Sequence, residues 1–407
     1  MAPVESDFSQ PFNGPRNAAI AEGIKGWAQI AKHVVIWDYS ATNFSAYLQP
    51  HPNFDAMFGS IQWVAELPSV EGYFVQGSMS SIGAEFAQLR QWVGARMLWD
   101  PKQDWQPLVD EFVKGYYGAA APYIGDYIKL MHESKSKTNA VMSLKTPVTA
   151  AHLTFEALRE ADELFARAGQ AVEGQPGFSR RVKTARMGVD AVILMRRGDY
   201  QSDALKVGIQ WDPDTAKRLQ RLRDDSTAAG VTAWGESVGK MTNMLKIMEV
   251  ERTASVPLAE VAGLPKSKWM EFTDLSFIVE GGGIVADKLA SDGGAATLPG
   301  NKAIWGIQLK LDYLPPEGQW KLYASVRIDP GEGADDETAM TFGVYPPFGN
   351  HRTVKVKEVA DGQYHTFEFP RVYRSNAGEA LWFAPPNSNA IKAMYVDRVV
   401  AVQVSPE

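Results

Sequence analysis

The chain has 407 residues, with 41 Lys and Arg against 48 Asp and Glu, a formal net charge of -7 and no cysteine. At roughly 100–200 residues per domain, that length allows about two to four domains. The missing cysteine excludes thiolate nucleophiles, disulfides, thiolate zinc sites and iron–sulfur clusters, and an acidic balance without a basic run argues against a nucleic-acid partner. No apolar run approaches the roughly 20 residues that a membrane helix needs. The opening Met1-Ala2-Pro3-Val4-Glu5-Ser6-Asp7 lacks the charged-then-apolar pattern of a signal peptide. Aromatic residues make up 11% of the chain, and their flat faces can either fill cores or stack on sugar rings.

Residues 1–100 alternate in character. Apolar positions recur at helical spacing over 16–32, and Val34-Val35-Ile36-Trp37 then reads as a buried strand. A loop rich in Asn and Pro follows. Helical spacing returns over 54–67, a second strand runs from Val70 to Val75, and 82–98 is helical again. Strand and helix in turn are the grammar of parallel α/β structure. Residues 101–255 carry almost no strand signal, and amphipathic helices are expected over 149–170, 179–197 and 235–250. The tripeptide Trp-Asp-Pro occurs twice, at Trp99-Asp100-Pro101 and Trp211-Asp212-Pro213. It reads as a pair of helix N-caps rather than a repeat unit. From 265 to 407 short alternating segments (303–311, 320–328, 340–344, 364–369 and 393–404) predict an antiparallel β-sandwich.

Few chemical motifs are present. There is no phosphate-cradling loop, and Gly281-Gly282-Gly283 falls among the expected strands as a turn. The six histidines are scattered without metal-ligand spacing, so neither a metal nor a cofactor is expected. The notable feature is Trp37-Asp38-Tyr39 at the end of the first strand, where parallel α/β folds place their ligands. Asp38 there can serve as a base or a sugar-hydroxyl ligand, with Trp37 and Tyr39 stacking on the ring; equally, it can cap the following loop. Gln76 ends the second strand in the same place. Asn43, His51 and Asn53 either line that mouth or hold the loop through side chain–backbone bonds. A second carboxylic group across a scissile bond is not evident, because Glu66 and Glu71 sit at the wrong end of the second strand. In the β region, Trp305, Trp320 and Trp382 are candidates for a glycan platform, with Tyr323, Tyr345 and Tyr395 beside them.

Several spaced motifs agree in order with one family. They are Trp37-Asp38-Tyr39, Asn43-Phe44, Pro50-His51-Pro52-Asn53, Gly72-Tyr73-Phe74-Val75-Gln76-Gly77 and Leu98-Trp99-Asp100-Pro101, followed by Glu111-Phe112 and Tyr116-Tyr117-Gly118-Ala119-Ala120. Over about residues 10–135 the chain resembles the bacterial, carbohydrate-associated family of domain of unknown function 4838, itself similar to α-glucuronidase-like (β/α)8 glycoside hydrolases. Tyr395-Val396-Asp397-Arg398 resembles the usual C-terminal companions. The resemblance implies a sugar-directed barrel, with Asp38 as the matching acid and a carbohydrate as partner. A whole barrel takes about 250 residues, so residues 1–100 would be its C-terminal portion, 101–255 a helical domain and 265–407 the sandwich. The function expected is hydrolysis of O-glycosyl bonds; the alternative is a non-catalytic glycan-binding or structural protein. Secretion or a periplasmic location follows only if the family's full-length pattern holds, and the oligomeric state stays open.

Overall fold

The structure, a computed structural model, describes residues 1–79, 81–236, 241–315, 318–347, 350–376 and 378–404. They divide into two compact units, Met1–Leu194 with Trp211–Leu245, and Met195–Gln210 with Lys246–Glu407.

In the first unit, helix α1 (Ala18–Ile30) precedes strand β1 (Val34–Asp38), helix α2 (Phe54–Val64) follows, and strand β2 (Val70–Val75) pairs with β1 in parallel. The pairing sets Ile36 opposite Tyr73 and Trp37 opposite Phe74. Successive side chains of a strand point to opposite faces, and burial along β1 alternates accordingly. One face carries Val34, Ile36 and Tyr73, packed against Phe12, Ile24 and Val64. The other carries Val35, Trp37 and Phe74, which are 54%, 45% and 48% exposed. Parallel sheets, in barrels and in doubly wound folds alike, are normally covered on both faces, so this second face lacks its cover among the described residues. Among the described residues β1 and β2 form a two-stranded sheet, so where a barrel portion is expected the structure shows one β–α–β unit.

Helices α3 (Ala87–Trp99), α4 (Trp105–Tyr117), α5 (Ala121–Lys137) and α6 (Phe155–Ala171) follow. Next come α7 (Pro176–Lys206), which has non-helical backbone at Arg196, α8 (Thr215–Ala229) and α9 (Met241–Glu249). The helix expected over 235–250 falls partly on residues 237–240, outside the described residues. The two Trp-Asp-Pro tripeptides are not helix N-caps. Asp100 accepts from the Lys102 amide at 3.1 Å and Asp212 from the Asp214 amide at 2.8 Å, so each closes a local turn ahead of its helix. The cap of α4 is Asp104, which accepts from the Gln106 amide. Helices α6, α7 and α8 are tied by buried charge: Arg218 bonds both Asp162 and Asp190, and Arg221 bonds Asp190.

The second unit is an antiparallel sandwich. Its strands are β3 (Trp269–Thr273), β4 (Ile278–Val279), β5 (Gly283–Ala286), β6 (Gly294–Pro299), β7 (Ile307–Lys310), β8 (Gln319–Pro330), β9 (Thr338–Tyr345), β10 (His351–Lys355), β11 (His365–Glu368), β12 (Ala380–Ala384) and β13 (Ile391–Val404). One sheet runs β10-β9-β12-β7-β4; the other runs β11-β8-β13-β6-β5, with β3 also on β13. The inward residues of both sheets, among them Leu309, Leu322, Val326, Phe342, Phe383 and Val399, make one core. In β13 the register with β8 shifts between Val396 and Arg398. The bulged Asp397 between them accepts from the Ser291 amide and hydroxyl. Its burial raises the carboxyl to about 6.

Arg252 is a buried cation of this unit. It donates twice to Asp274, at 2.8 and 2.7 Å, and once to Asp292 at 2.9 Å. Removing one partner of a buried pair costs about 3–5 kcal/mol, because the remaining charge is left unmatched. Arg252→Met is therefore expected to lower the unfolding free energy, read from urea titration of the full chain's β-sheet signal, by that much, with the midpoint moved to lower urea; an unchanged midpoint would refute this role.

Candidate functional site

Asp38 stands at the C-terminal end of β1, as the sequence indicates, but its carboxylate is sealed. Oδ1 accepts from the Ser40 amide at 2.8 Å; Oδ2 accepts from the Ser40 hydroxyl at 2.6 Å and the Tyr73 hydroxyl at 2.8 Å. Burial raises this carboxyl above its ordinary value, and the bonds from Ser40 and Tyr73 oppose that rise. The neighbouring Ser40 carbonyl accepts from the Asn53 amide group at 2.7 Å. The Asn53 carbonyl oxygen accepts from Arg90 at 2.6 Å. Arg90 also donates to the His51 carbonyl and, at 2.9 Å, to the Glu85 carboxylate, and it lies 4.6 Å from the centre of the Phe54 ring. Tyr73, Asp38, Ser40, Asn53, Arg90 and Glu85 thus form one buried polar chain.

The loop residues hold the loop. Asn43 donates to the Thr146 carbonyl and accepts from Ser45, and it is buried. His51 is buried too; burial and the Arg90 charge push its ring well below the usual histidine value, which keeps it neutral. Gln76 is half-buried, its amide N–H bonded to the Asp38 carbonyl. Trp37 and Asp38 point to opposite faces of β1, so they do not flank a common ligand. Trp37 instead stacks on Tyr39 (5.9 Å between centroids, 4° between planes) and meets Phe74 edge-on at 5.2 Å.

Arg90 and Glu85 are the site members that the sequence reading does not find. Arg90 lies on the buried stripe of α3 with Leu89, Val93 and Met97, and a charge on an apolar helical stripe is the signal that marks it. Glu85 borders a cavity of about 330 Å³, and Arg90 with Tyr73 borders another of about 320 Å³.

On the sandwich, the candidate tryptophans divide. Trp320 points between the sheets at 3% exposure and leaves no free ring face. Trp382 lies between Leu381 and Phe383, both in the core, so alternation turns it to the outer face of its sheet, where it is still only 7% exposed. There it stacks on Trp305 at 5.4 Å, and Trp305 in turn meets Tyr345 at 6.2 Å. Trp305 and Tyr345 are 43% and 47% exposed. The Trp382 Nε1–H is buried and has no hydrogen-bond partner among the described residues. Tyr395 is engaged elsewhere, with Arg327 3.8 Å from its ring centre and its hydroxyl on Asp329 at 2.6 Å.

A parallel β–α–β unit with helices, followed in the chain by an antiparallel sandwich, defines a multidomain protein of mixed α and β structure. Residues 1–129 match the model of the family described as domain of unknown function (DUF4838), the family that the ordered motifs resemble. No curated protein matches the chain. Similar solved structures include the family 35 carbohydrate binding module from Clostridium thermocellum (14% identity, 33% of this chain and 98% of that chain, TM-score 0.25). A CBM22-1 xylan-binding domain from Paenibacillus barcinonensis is similar at 12% identity (34% of this chain, 89% of that chain, TM-score 0.22). The exo-β-1,3-galactanase from Phanerochaete chrysosporium is similar at 14% identity (33% of this chain, 29% of that chain, TM-score 0.23). No helix among the described residues is long and apolar enough to cross a membrane.

Two substitutions test the buried chain. Asp38→Asn puts an amide donor against groups that themselves donate, and should cost about 1–3 kcal/mol in thermal unfolding. Arg90→Met leaves Glu85 buried without its cation and should cost about 3–5 kcal/mol. Equal, negligible losses in both would show that the chain does not hold the loop.

Proposed function

We propose that this chain is a carbohydrate-active protein whose sandwich binds glycan on the Trp305–Tyr345–Trp382 cluster. The observation that carries this reading is the outward aromatic cluster with an unpartnered Trp382 Nε1–H at its base. Rings supply flat apolar faces for the C–H face of a sugar, and a buried donor calls for an acceptor such as a hydroxyl oxygen.

In the same reading, the β1–α2–β2 unit is part of a (β/α)8 glycoside-hydrolase barrel, and its bare face is the barrel's interior. Trp37, Tyr39 and Phe74 then face inward near the strand ends, where a barrel gathers its substrate. Asp38 turns toward the helix layer and serves hydrolysis by fixing the mouth loop. A second reading, glycan binding without catalysis, is favoured by the full hydrogen bonding and burial of the Asp38 carboxylate.

Native affinity gels containing soluble xylan, galactan or β-glucan test the binding. Trp305→Ala should weaken retardation about tenfold, equivalent to about 1.4 kcal/mol, and Tyr345→Ala should do so to a similar degree, both with unchanged melting temperature. Retardation that survives in the double variant, or no retardation of the wild type in any gel, would overturn the assignment.

A further inference from the structure

The cavity of about 330 Å³ in the first unit is lined by none of Trp37, Tyr39 and Phe74. Glu85, Tyr116, Tyr117, Arg180, Arg181 and Thr184 are among the residues that border it. Its size is at the small end of ligand pockets, about 300–1,000 Å³, which suits one or two rings rather than a polymer.

The charges around it do not cancel. The Glu85 carboxylate is met by Arg90 at 2.9 Å. Arg181 donates one N–H to the Tyr116 carbonyl at 2.8 Å, and its guanidinium lies 4.2 Å from the Tyr116 ring centre, so the side chain is held in place over the cavity wall. Neither Arg181 nor its exposed neighbour Arg180 has a carboxylate partner among the described residues. In a chain of net charge -7, two adjacent arginines without a carboxylate partner, at a cavity whose acid Glu85 is already matched by Arg90, make a local positive site. A guanidinium already oriented by a backbone bond and a ring needs little further ordering to meet an oxyanion edge-on.

We infer that this cavity binds a small anionic sugar, a single ring bearing one carboxylate, sulfate or phosphate group, with Arg180 and Arg181 on the anion and Glu85 accepting from ring hydroxyls. The arginines alone assign the negative charge; the choice of a sugar rests on the carbohydrate reading above.

Isothermal titration calorimetry on the full chain tests this with glucose 6-sulfate, glucose 6-phosphate and galacturonate, against glucose and inorganic sulfate. At least one charged sugar should bind tenfold or more tightly than glucose and than sulfate, and more weakly as salt rises. Arg180→Gln with Arg181→Gln should erase that preference. Thr184→Trp, which fills the cavity, should abolish binding with its circular dichroism unchanged. Equal affinity for glucose and its charged forms, no binding of any charged sugar, or a preference unmoved by the arginine variants would overturn the inference. The Trp305→Ala variant separates the two readings: it should lose polysaccharide retardation and keep the charged-sugar isotherm. Polysaccharide binding without the isotherm fails the cavity alone, and the reverse fails the sandwich alone.

Discussion

The first unit is organised by the need to satisfy charge that has been taken out of water. A buried guanidinium has five donors in a fixed fork, and leaving any of them unpaired is costly. Arg90 places that fork among the Asn53 side chain, the His51 carbonyl and both the backbone and carboxylate of Glu85. Asn53 carries the connection to Ser40, and Ser40 carries it to Asp38 and the end of β1. The loop between β1 and α2 is therefore pinned at both ends by one side chain from α3. The stacking of Tyr39 on Trp37, and the shape of both cavities, depend on that loop staying where it is.

Much of the scaffold was legible in the chain. The β-branched run at Val34-Val35-Ile36 and the segment from Val70 to Val75 form the strands they suggest, because burial on one face fixes their register. The alternating segments of the last third form a sandwich for the same reason. Asp38 was legible as a special position, but its role was not. A local sequence shows an acid at a strand end and cannot show that Tyr73, on a different strand, consumes its second oxygen. Arg90 carries a sequence signal, a charge on an apolar stripe, but such long side chains usually reach out to solvent, and its partners Asn53, His51 and Glu85 are brought to it only by the tertiary structure.

The aromatic residues make the same point from the other side. One-residue alternation decides which face of a sheet a ring joins: Trp320 packs between the sheets, while Trp382, also buried, packs on the other face against Trp305. Composition counts both alike. The Trp-Asp-Pro pairs fail for a related reason: a side chain that can cap a helix can equally close a turn, and the amide two residues on is nearer than the helix that follows.

The hydrogen-bonded chain from Tyr73 to Glu85 also determines how this part of the molecule comes apart. It joins two strands, a long loop and a helix through side chains, none of which can detach alone without stranding a buried partner. Amide protons of β1, β2 and the start of α3 should consequently exchange with solvent together, as a single opening unit, even though the two-stranded sheet would fray readily by itself. Its cooperativity comes from a guanidinium, where a larger sheet would have drawn it from more strands.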